Sequence, residues 1–219
     1  LVAMVYDTLQ KVNAAQNKNI VFGISPFGIW KSGTPAGITG TSSYSQFYCD
    51  PIAWLQAGTV DYLSPQLYWK ITGAQDYDKL SAWWNDRGAQ YNRHIYPGLA
   101  LYKMVDGTNN WEAAEIQQQI NLNRQLQRPQ VLGQAMFSTK QIMANNKGIK
   151  TQLQANQYRF ASYAPAMHWK DNVCPNSPTH VKLDGDTLRW QAPLPASDGD
   201  LAKRYVIYRF DTDTEATTH

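Results

Sequence analysis

The sequence predicts an α/β fold in which four βα units with parallel strands form half of a (β/α)8 TIM barrel, followed by a partial β-sandwich. Apolar stretches typical of buried strands begin near residues 20, 59, 94 and 131, roughly every 37 residues, with helical patterns between them. The alternative, a doubly wound open sheet, usually carries a Gly-x-Gly-x-x-Gly turn after its first strand, and the sequence contains no such motif. Beyond residue 170, prolines separate short alternating segments typical of a sandwich.

Composition excludes several classes of protein. The 219 residues are 43% apolar, which is sufficient for a packed core, and the formal net charge of +3 contains no basic block. Binding to nucleic acid is therefore not expected. The sequence has no run of eighteen apolar residues, so we predict no transmembrane segment. Two cysteines are too few for a disulfide framework or a cysteine metal site.

The chain is expected to begin inside a helix, because apolar residues recur at intervals of three and four from the start: Val2, Val5, Leu9 and Val12. No capping residue precedes this helix, and we expect the chain to begin in mid-domain. A continuous apolar run predicts the first strand over residues 20–25, and a loop rich in Gly, Ser and Thr follows over residues 32–45.

The second strand is the one around which the chain is organised. A short helix over residues 51–57, capped by Asp50 and stopped by Gly58, leads into it. The strand begins at Val60, and Pro65 marks the place where regular pairing must end. Gln66, Tyr68 and Trp69 follow at its carboxyl end, the edge of a parallel sheet where ligands bind.

The remaining units repeat this pattern. Helices are predicted over residues 76–91, 112–126 and 139–161, and strands over residues 94–102 and 131–137. Three alternating segments, residues 181–183, 188–190 and 205–210, have fibronectin type III character. We therefore expect a barrel half over residues 1–170 and a partial β domain over residues 171–219.

Several phrases resemble one family, glycosyl-hydrolase-like family 10. They are Phe-Gly-Ile-Ser-Pro-Phe-Gly-Ile-Trp at 22–30, Trp54 followed by Gly-Thr-Val-Asp-Tyr-Leu-Ser-Pro-Gln-Leu-Tyr-Trp at 58–69, Trp-Trp at 83–84, Gly-Leu-Ala-Leu-Tyr-Lys at 98–103 and Gly-Gln-Ala-Met-Phe-Ser at 133–138. The resemblance covers roughly residues 1–170 and implies the second half of the family's barrel. It also implies a glycan substrate and a bacterial protein exported to the cell envelope, often lipid-anchored, whose paired-aspartate motif lies in the first barrel half.

Glycoside hydrolysis normally needs two carboxyl groups that flank the scissile bond. The strand ends of this chain carry instead Ser25, Gln66, Tyr68, Tyr102 and Ser138. The principal acids are therefore expected in the missing half. Among the nearby acids, Asp50 and Asp76 are interpreted as helix caps and Asp106 as a turn residue, although Asp106 is also an open candidate for the site.

The candidate site follows from these positions. Gln66 and Tyr68 are assigned the catalytic role of hydrogen-bonding the sugar or orienting a reacting group. Substrate binding is assigned to Ser25, Trp30, Trp69, Tyr102, Lys103 and Asp106, the aromatic residues among them as stacking platforms. Each of these side chains also has a purely structural interpretation in the core, in the polar layer of the barrel mouth or in solvent.

No cofactor and no metal is predicted, since neither His94 nor His168 has a partner at metal-ligand spacing. Two other functions stay open. The aromatic mouth could bind carbohydrate without turnover, or the chain could be an assembly piece, because a half barrel leaves two open strand edges that the missing half or another chain must cover.

Overall fold

The structure, a computed structural model, describes residues 1–125 and 129–209. The chain divides into two compact units, Leu1–Met167 and His168–His219. In the first unit helices alternate with parallel strands, which confirms the α/β class. In the described ranges no helix combines the length and apolarity needed to cross a membrane.

The first unit contains seven α-helices and five strands within the described residues. In chain order they are α1 Val2–Gln16, β1 Gly23–Ile24, α2 Ser43–Phe47, α3 Pro51–Gln56, β2 Tyr62–Leu63, α4 Tyr77–Tyr91, β3 His94–Ile95, β4 Gly98–Ala100, a 3-10 helix Leu101–Met104, α5 Ala113–Asn123, β5 Ala135–Phe137, α6 Thr139–Met143, a second 3-10 helix Asn146–Gly148 and α7 Ile149–Ala155.

The strands lie side by side in the order of the chain. β1 pairs with β2, β2 with β3, and β4 with β5, all in parallel. Isolated parallel bridges join these pairs, because Gln66 bridges both Phe27 and Gly98, and Ile95 bridges Val131. Four neighbouring segments therefore run in parallel without a reversal of order.

The core of this unit lies between the strands and the helices α3, α4 and α5. Fully buried side chains from the strands, among them Leu63, Ile95 and Leu99, pack in one cluster with side chains of these helices. Of the two adjacent tryptophans on α4, Trp84 is fully buried and donates its indole N–H to the carbonyl of Gly28 at 2.8 Å. Trp83 is only partly buried, because neighbouring residues of a helix point in different directions.

Regular strand is shorter than predicted, although backbone pairing extends beyond it. The amide of Asp61 donates to Phe22 at 2.7 Å and that of Gln66 to Pro26 at 3.0 Å, so the first two segments pair on both sides of β1 and β2. The predicted strand over 94–102 is interrupted at Pro97, which has no N–H for the ladder. Its last residues form the 3-10 helix instead.

The predicted helix over 139–161 is also wrong as a single element. It is broken between α6 and α7, where Asn145, Lys147 and Gly148 all adopt left-handed backbone conformations with φ of 48°, 49° and 73°. A right-handed helix cannot continue through such residues. The predicted helix over 112–126 ends at Asn123, and Leu126 lies outside the described residues.

One helix was not predicted at all. α2 forms within and just beyond the predicted loop over residues 32–45, and it begins because the Ser42 hydroxyl accepts a hydrogen bond from the amide of Ser45 at 3.1 Å. The predicted caps of the other two helices are confirmed, since Asp50 accepts from the amide of Ala53 at 3.2 Å and Asp76 from that of Asp78 at 2.9 Å.

The second unit contains one antiparallel hairpin, β6 Thr179–Asp184 and β7 Thr187–Gln191, within its described residues. Gly185 at the turn has a φ of 58°, a conformation that glycine adopts without strain. The third predicted segment is not in a strand over residues 205–209, and Phe210 lies outside the described residues. A partial β-sandwich therefore stays a prediction.

Candidate functional site

The carboxyl ends of the strands of the first unit bring the predicted residues to one edge of the sheet. Gln66 lies level with Phe27 on one neighbour and Gly98 on the other, and Gly98 lies level with Ala135. Side chains alternate along an extended chain, so Gln66 and Tyr68 share one face, and the buried Leu67 between them points to the core.

The polar part of the site joins the first two strand ends. The side-chain amide nitrogen of Gln66, Nε2, donates to the Ser25 carbonyl at 3.3 Å and to the Ser25 hydroxyl at 3.4 Å. The Ser25 hydroxyl in turn donates to the carbonyl of Ser64 at 2.8 Å. These bonds fix the orientation of the Gln66 side-chain amide.

Three aromatic rings form the next part of the site. Tyr68 and Phe137 stack with centroids 5.9 Å apart, and Tyr102 meets both edge-on at 6.0 Å and 5.9 Å. Burial raises the pKa of the Tyr68 hydroxyl, with a further contribution from Tyr102. Tyr68 and Tyr102 are partly exposed and Phe137 is exposed. These three residues, called here the Tyr68 cluster, offer an apolar wall and a protonated hydroxyl at neutral pH.

Lys103 contacts the backbone of Tyr68 and the ring of Trp111. Its ammonium group donates to the carbonyl of Tyr68 at 2.7 Å and lies 5.2 Å from the ring centre of Trp111. Burial lowers the pKa of Lys103, while the charge of Asp106 acts in the opposite direction. In this structure Lys103 therefore holds the backbone of the second strand end.

Asp106 is bound in its own turn, as its predicted structural role requires. Its carboxylate accepts from the amides of Thr108 at 3.0 Å and Asn109 at 2.7 Å, and from the side chain of Asn109 at 2.5 Å. The hydrogen bond from the Asn109 amide is the main reason that the pKa of Asp106 is lowered. An acid catalyst needs a raised pKa, so Asp106 is suited to stay an anion beside Tyr102, whose pKa its charge helps to raise after burial.

The two predicted tryptophans lie apart from the Tyr68 cluster in their contacts. Trp30 stacks on Trp83 at 6.0 Å, has the Lys31 ammonium 4.2 Å from its ring centre, and donates to Asp50 at 3.0 Å. Trp69 packs against Gly28, where an added Cβ would come within 2.7 Å of the indole. Much of each ring is therefore engaged with protein.

Helix α5 positions the chain that follows Gln66 and Tyr68. Gln119 donates to the carbonyl of Trp69 at 3.0 Å and to Glu115 at 2.9 Å. The same carboxylate oxygen of Glu115 accepts from the amide of Ile71 at 2.8 Å. Two side chains of one helix thus hold both ends of this loop.

Sequence reasoning missed two members of the site. Phe137 was read only as the end of a strand, and Trp111 was not singled out at all. The signal available for Phe137 was the same as for Tyr68, namely an aromatic residue at the carboxyl end of a strand in the repeating pattern. Trp111 had no such signal, because it lies between a turn and a helix that are far from the strand in sequence.

In the second unit, the exposed carboxylates of Asp171, Asp198 and Asp200 have oxygens within 4.8 Å of one another. Backbone capping already explains two of them, since Asp171 accepts from the amide of Val173 and Asp198 from that of Asp200, both at 3.0 Å. Exposed acidic groups of this kind are common without an ion, and the absence of a metal stays a prediction.

Comparison with known proteins agrees with the resemblance read from the sequence. The chain is similar to Glycosyl hydrolase YngK of Bacillus subtilis (strain 168), with 37% identity over 223 aligned positions that cover 95% of this chain and 42% of YngK. It is also similar to Glycosyl hydrolase DigH of Escherichia coli (strain K12), with 30% identity over 149 positions that cover 63% of this chain and 33% of DigH. The chain thus spans less than half the length of these relatives.

The family model described as Glycosyl hydrolase-like 10 matches residues 2–115. This range includes β1 to β4 and, of the site residues, Ser25, Gln66, Tyr68, Tyr102 and Lys103. It covers just over half of the 219 residues. The lipid anchor and the fibronectin-like domain remain predictions, but on this match the chain belongs to the Glycosyl hydrolase-like 10 family.

Proposed function

We propose that this chain is part of a glycoside hydrolase that acts on a polysaccharide or a cell-wall glycan. In this proposal the chain supplies one half of a (β/α)8 barrel and the polar and aromatic wall of its sugar-binding cleft. The two carboxyl groups that the reaction needs are supplied by the rest of the protein. The observation that carries the proposal is the meeting of Gln66 and the Tyr68 cluster at the carboxyl ends of parallel strands.

The order of the strands supports the barrel half. In a doubly wound sheet the strand order reverses at a switch point. Here four parallel segments follow one another in space as they do in sequence, with helices between them. A barrel is built by continuing this order until the sheet closes.

The exposed edges support the presence of further chain beside this unit. Within the described residues, β1 and β5 each have a neighbour on one side only. Apolar side chains near these edges are partly exposed, among them Val21 at 42% and Leu132 at 41%. In the proposal the other barrel half covers these edges. Exposed strand edges and apolar patches are suited to binding such a partner.

The chemistry of the wall fits a sugar. A pyranose presents hydroxyl groups around its rim and C–H groups on its faces, so it needs hydrogen-bonding groups beside flat apolar surfaces. The fixed Gln66 amide and the protonated Tyr68 hydroxyl supply the first, and the rings of Tyr102 and Phe137 supply the second. Gln66 and Tyr68 are proposed to orient the glycan for reaction.

The test uses the full-length protein that contains this chain, assayed for hydrolysis of bacterial and plant glycans. Gln66→Ala and Tyr68→Phe are each expected to lower kcat/KM by more than about tenfold, because each removes a hydrogen bond to the bound sugar. Gln90→Ala and Tyr91→Phe, at the far end of α4, are the matched controls and are expected to keep wild-type kinetics. Unchanged kinetics in both site variants would refute the assignment.

A second function, carbohydrate binding without turnover, is favoured by one observation. The described strand ends carry Ser25, Gln66, Tyr68 and Ser138, and the nearby Asp106 is held as an anion in its turn. If the full-length protein binds glycans with the same dependence on Gln66 and Tyr68 but hydrolyses none of them, this second function is the correct one.

A further inference from the structure

Two phenylalanines outside the Tyr68 cluster form an exposed stacked pair. The rings of Phe27 and Phe47 lie 4.5 Å apart between centroids and are nearly parallel, with an interplanar angle of 14°. Each has buried one surface against the other, yet Phe27 is still 40% exposed and Phe47 47% exposed. An apolar pair in such a position loses contact with water when a flat partner covers it.

The pair lies at the same edge of the sheet as Gln66. Phe27 bridges Gln66 directly, and Pro26 and Gly28 on either side of Phe27 are buried. Because side chains alternate along this extended segment, Phe27 and Ser25 lie on one face. The Ser25 hydroxyl on that face is the one that Gln66 contacts.

Phe47 reaches Phe27 from the loop that follows β1. It is the last residue of α2, which Ser42 caps, and the α2 backbone is tied to this strand end because the amides of Ser43 and Tyr44 donate to the carbonyls of Ile29 and Trp30, both at 3.0 Å. The position of Phe47 is thus set by the backbone as well as by ring stacking. A pair fixed from two elements keeps its surface flat and ready for a ligand.

The Phe27–Phe47 pair lies at one end of a row of four adjacent segments. The Tyr68 cluster takes its rings from the other three, with Tyr68 on the second, Tyr102 after the third and Phe137 on the fourth. At the level of Gln66 the row passes through Phe27, Gln66, Gly98 and Ala135, which are on four adjacent segments. Three strand spacings separate its ends, about 14 Å along the sheet. Phe137 lies two residues beyond Ala135, so aromatic rings lie on both outer segments, and the polar Gln66 lies on the second segment, beside Phe27.

We propose that Phe27 and Phe47 form a second sugar-stacking platform, so that the cleft holds an extended glycan chain across at least two separate sugar positions. This inference rests on the proposed function and adds the length of the substrate to it. One sugar is held at the Tyr68 cluster, Gln66 contacts the glycan from the segment next to Phe27, and a sugar further along the glycan covers the two phenylalanines. The preferred substrate is a long glycan, and short oligosaccharides reach only one platform.

The test compares oligosaccharides by length in the full-length protein. The probes are chito-oligosaccharides, cello-oligosaccharides and bacterial cell-wall glycan fragments, each graded from two to eight sugar units. The measured quantity is kcat/KM for probes that are cleaved and Kd for probes that are only bound. Phe47→Ala is the main variant, Phe27→Ala the second, Phe47→Tyr keeps the ring, and Phe160→Ala, an exposed phenylalanine in the loop after α7, is the matched control.

Both alanine variants are expected to lose about tenfold in kcat/KM or affinity for the longest probes and less than about twofold for the shortest ones. Phe47→Tyr and Phe160→Ala are expected to behave as the wild type at every length. A loss of the same size at all lengths, or no loss at any length, overturns the platform. In either case, if Gln66→Ala lowers kcat/KM or affinity for probes of all lengths, the proposed function is still supported.

Failure of the proposed function itself looks different. If the wild-type protein neither binds nor cleaves any probe of any length, the glycan site is refuted, and the platform is refuted with it. If Phe47→Ala mainly lowers the melting temperature and reduces all activities in proportion, the Phe27–Phe47 pair packs against another part of the protein and is not a ligand surface.

Discussion

Three aspartates in the first unit accept hydrogen bonds from backbone amides. Asp50 caps α3, Asp106 closes a turn, and Asp61 accepts a hydrogen bond from the amide of Phe22 at 2.7 Å. Asp61 is fully buried at the entry end of β2, where a carboxylate must be well hydrogen-bonded to offset its lost hydration. Its position in a family-like phrase therefore reflects a structural role, as its place at the entry end of the strand predicts.

Asp61→Asn is expected to lower the free energy of unfolding by about 2–3 kcal/mol, because it weakens charge-assisted hydrogen bonds in a buried place. The measurement is urea unfolding of this chain. Asp7→Asn on the exposed surface of α1 is the control and should leave the midpoint unchanged. A structural role also requires that the folded variant of the full-length protein keep its kcat/KM within about twofold, and a selective loss of activity at normal stability would contradict it.

Residue types predicted local roles well and long-range contacts poorly. The caps by Asp50 and Asp76 depend on neighbours within one helix turn, and both are confirmed. The support of Lys103 by Trp111 depends on how two elements pack, which sequence spacing does not encode. This is why Trp111 was missed.

At the scale of elements, the break between α6 and α7 has a clear structural use. Lys147 lies at this break and its ammonium group donates to the carbonyl of Trp111 and the carboxylate of Glu112, both at 2.9 Å, and to the side chain of Asn110 at 2.8 Å. One cation thus joins the kink to the chain that leads into α5. A continuous helix over residues 139–161 would place this lysine elsewhere.

Lys147→Met is expected to lower the free energy of unfolding by about 1–2 kcal/mol, since the carbonyl of Trp111 and the carboxylate of Glu112 lose a shared donor. It should also speed proteolysis in the turn around Asp106. Differential scanning calorimetry and limited proteolysis measure the two effects. Lys140→Met on the exposed side of α6 is the control, and equal effects of the two substitutions would show that Lys147 has no special role.

Element types were predictable where one signal dominates. The first helix and the organising strand follow from periodicity and from Pro65. The split between β3 and β4 could have been read from Pro97, whose missing N–H forbids a continuous ladder. The left-handed conformation of Lys147 could not be predicted from the sequence, because a non-glycine residue adopts this conformation only when surrounding contacts hold it there.

At the scale of the whole molecule, the sequence rhythm predicted parallel βα units, and the structure adds their spatial order. That order, the two exposed edges and the relatives' greater length all support a unit that works as one part of a larger protein. In the proposed function, the rest of the protein supplies the two carboxyl groups and this chain supplies the sugar-binding wall.

The most direct measurement is hydrolysis of a panel of bacterial and plant glycans by this chain alone, side by side with the full-length protein that contains it. We predict that the full-length protein cleaves at least one glycan and that this chain cleaves none, since the reaction needs carboxyl groups on both sides of the bond. Cleavage by this chain alone would contradict the division of roles, and Asp106 would then be the first residue to substitute.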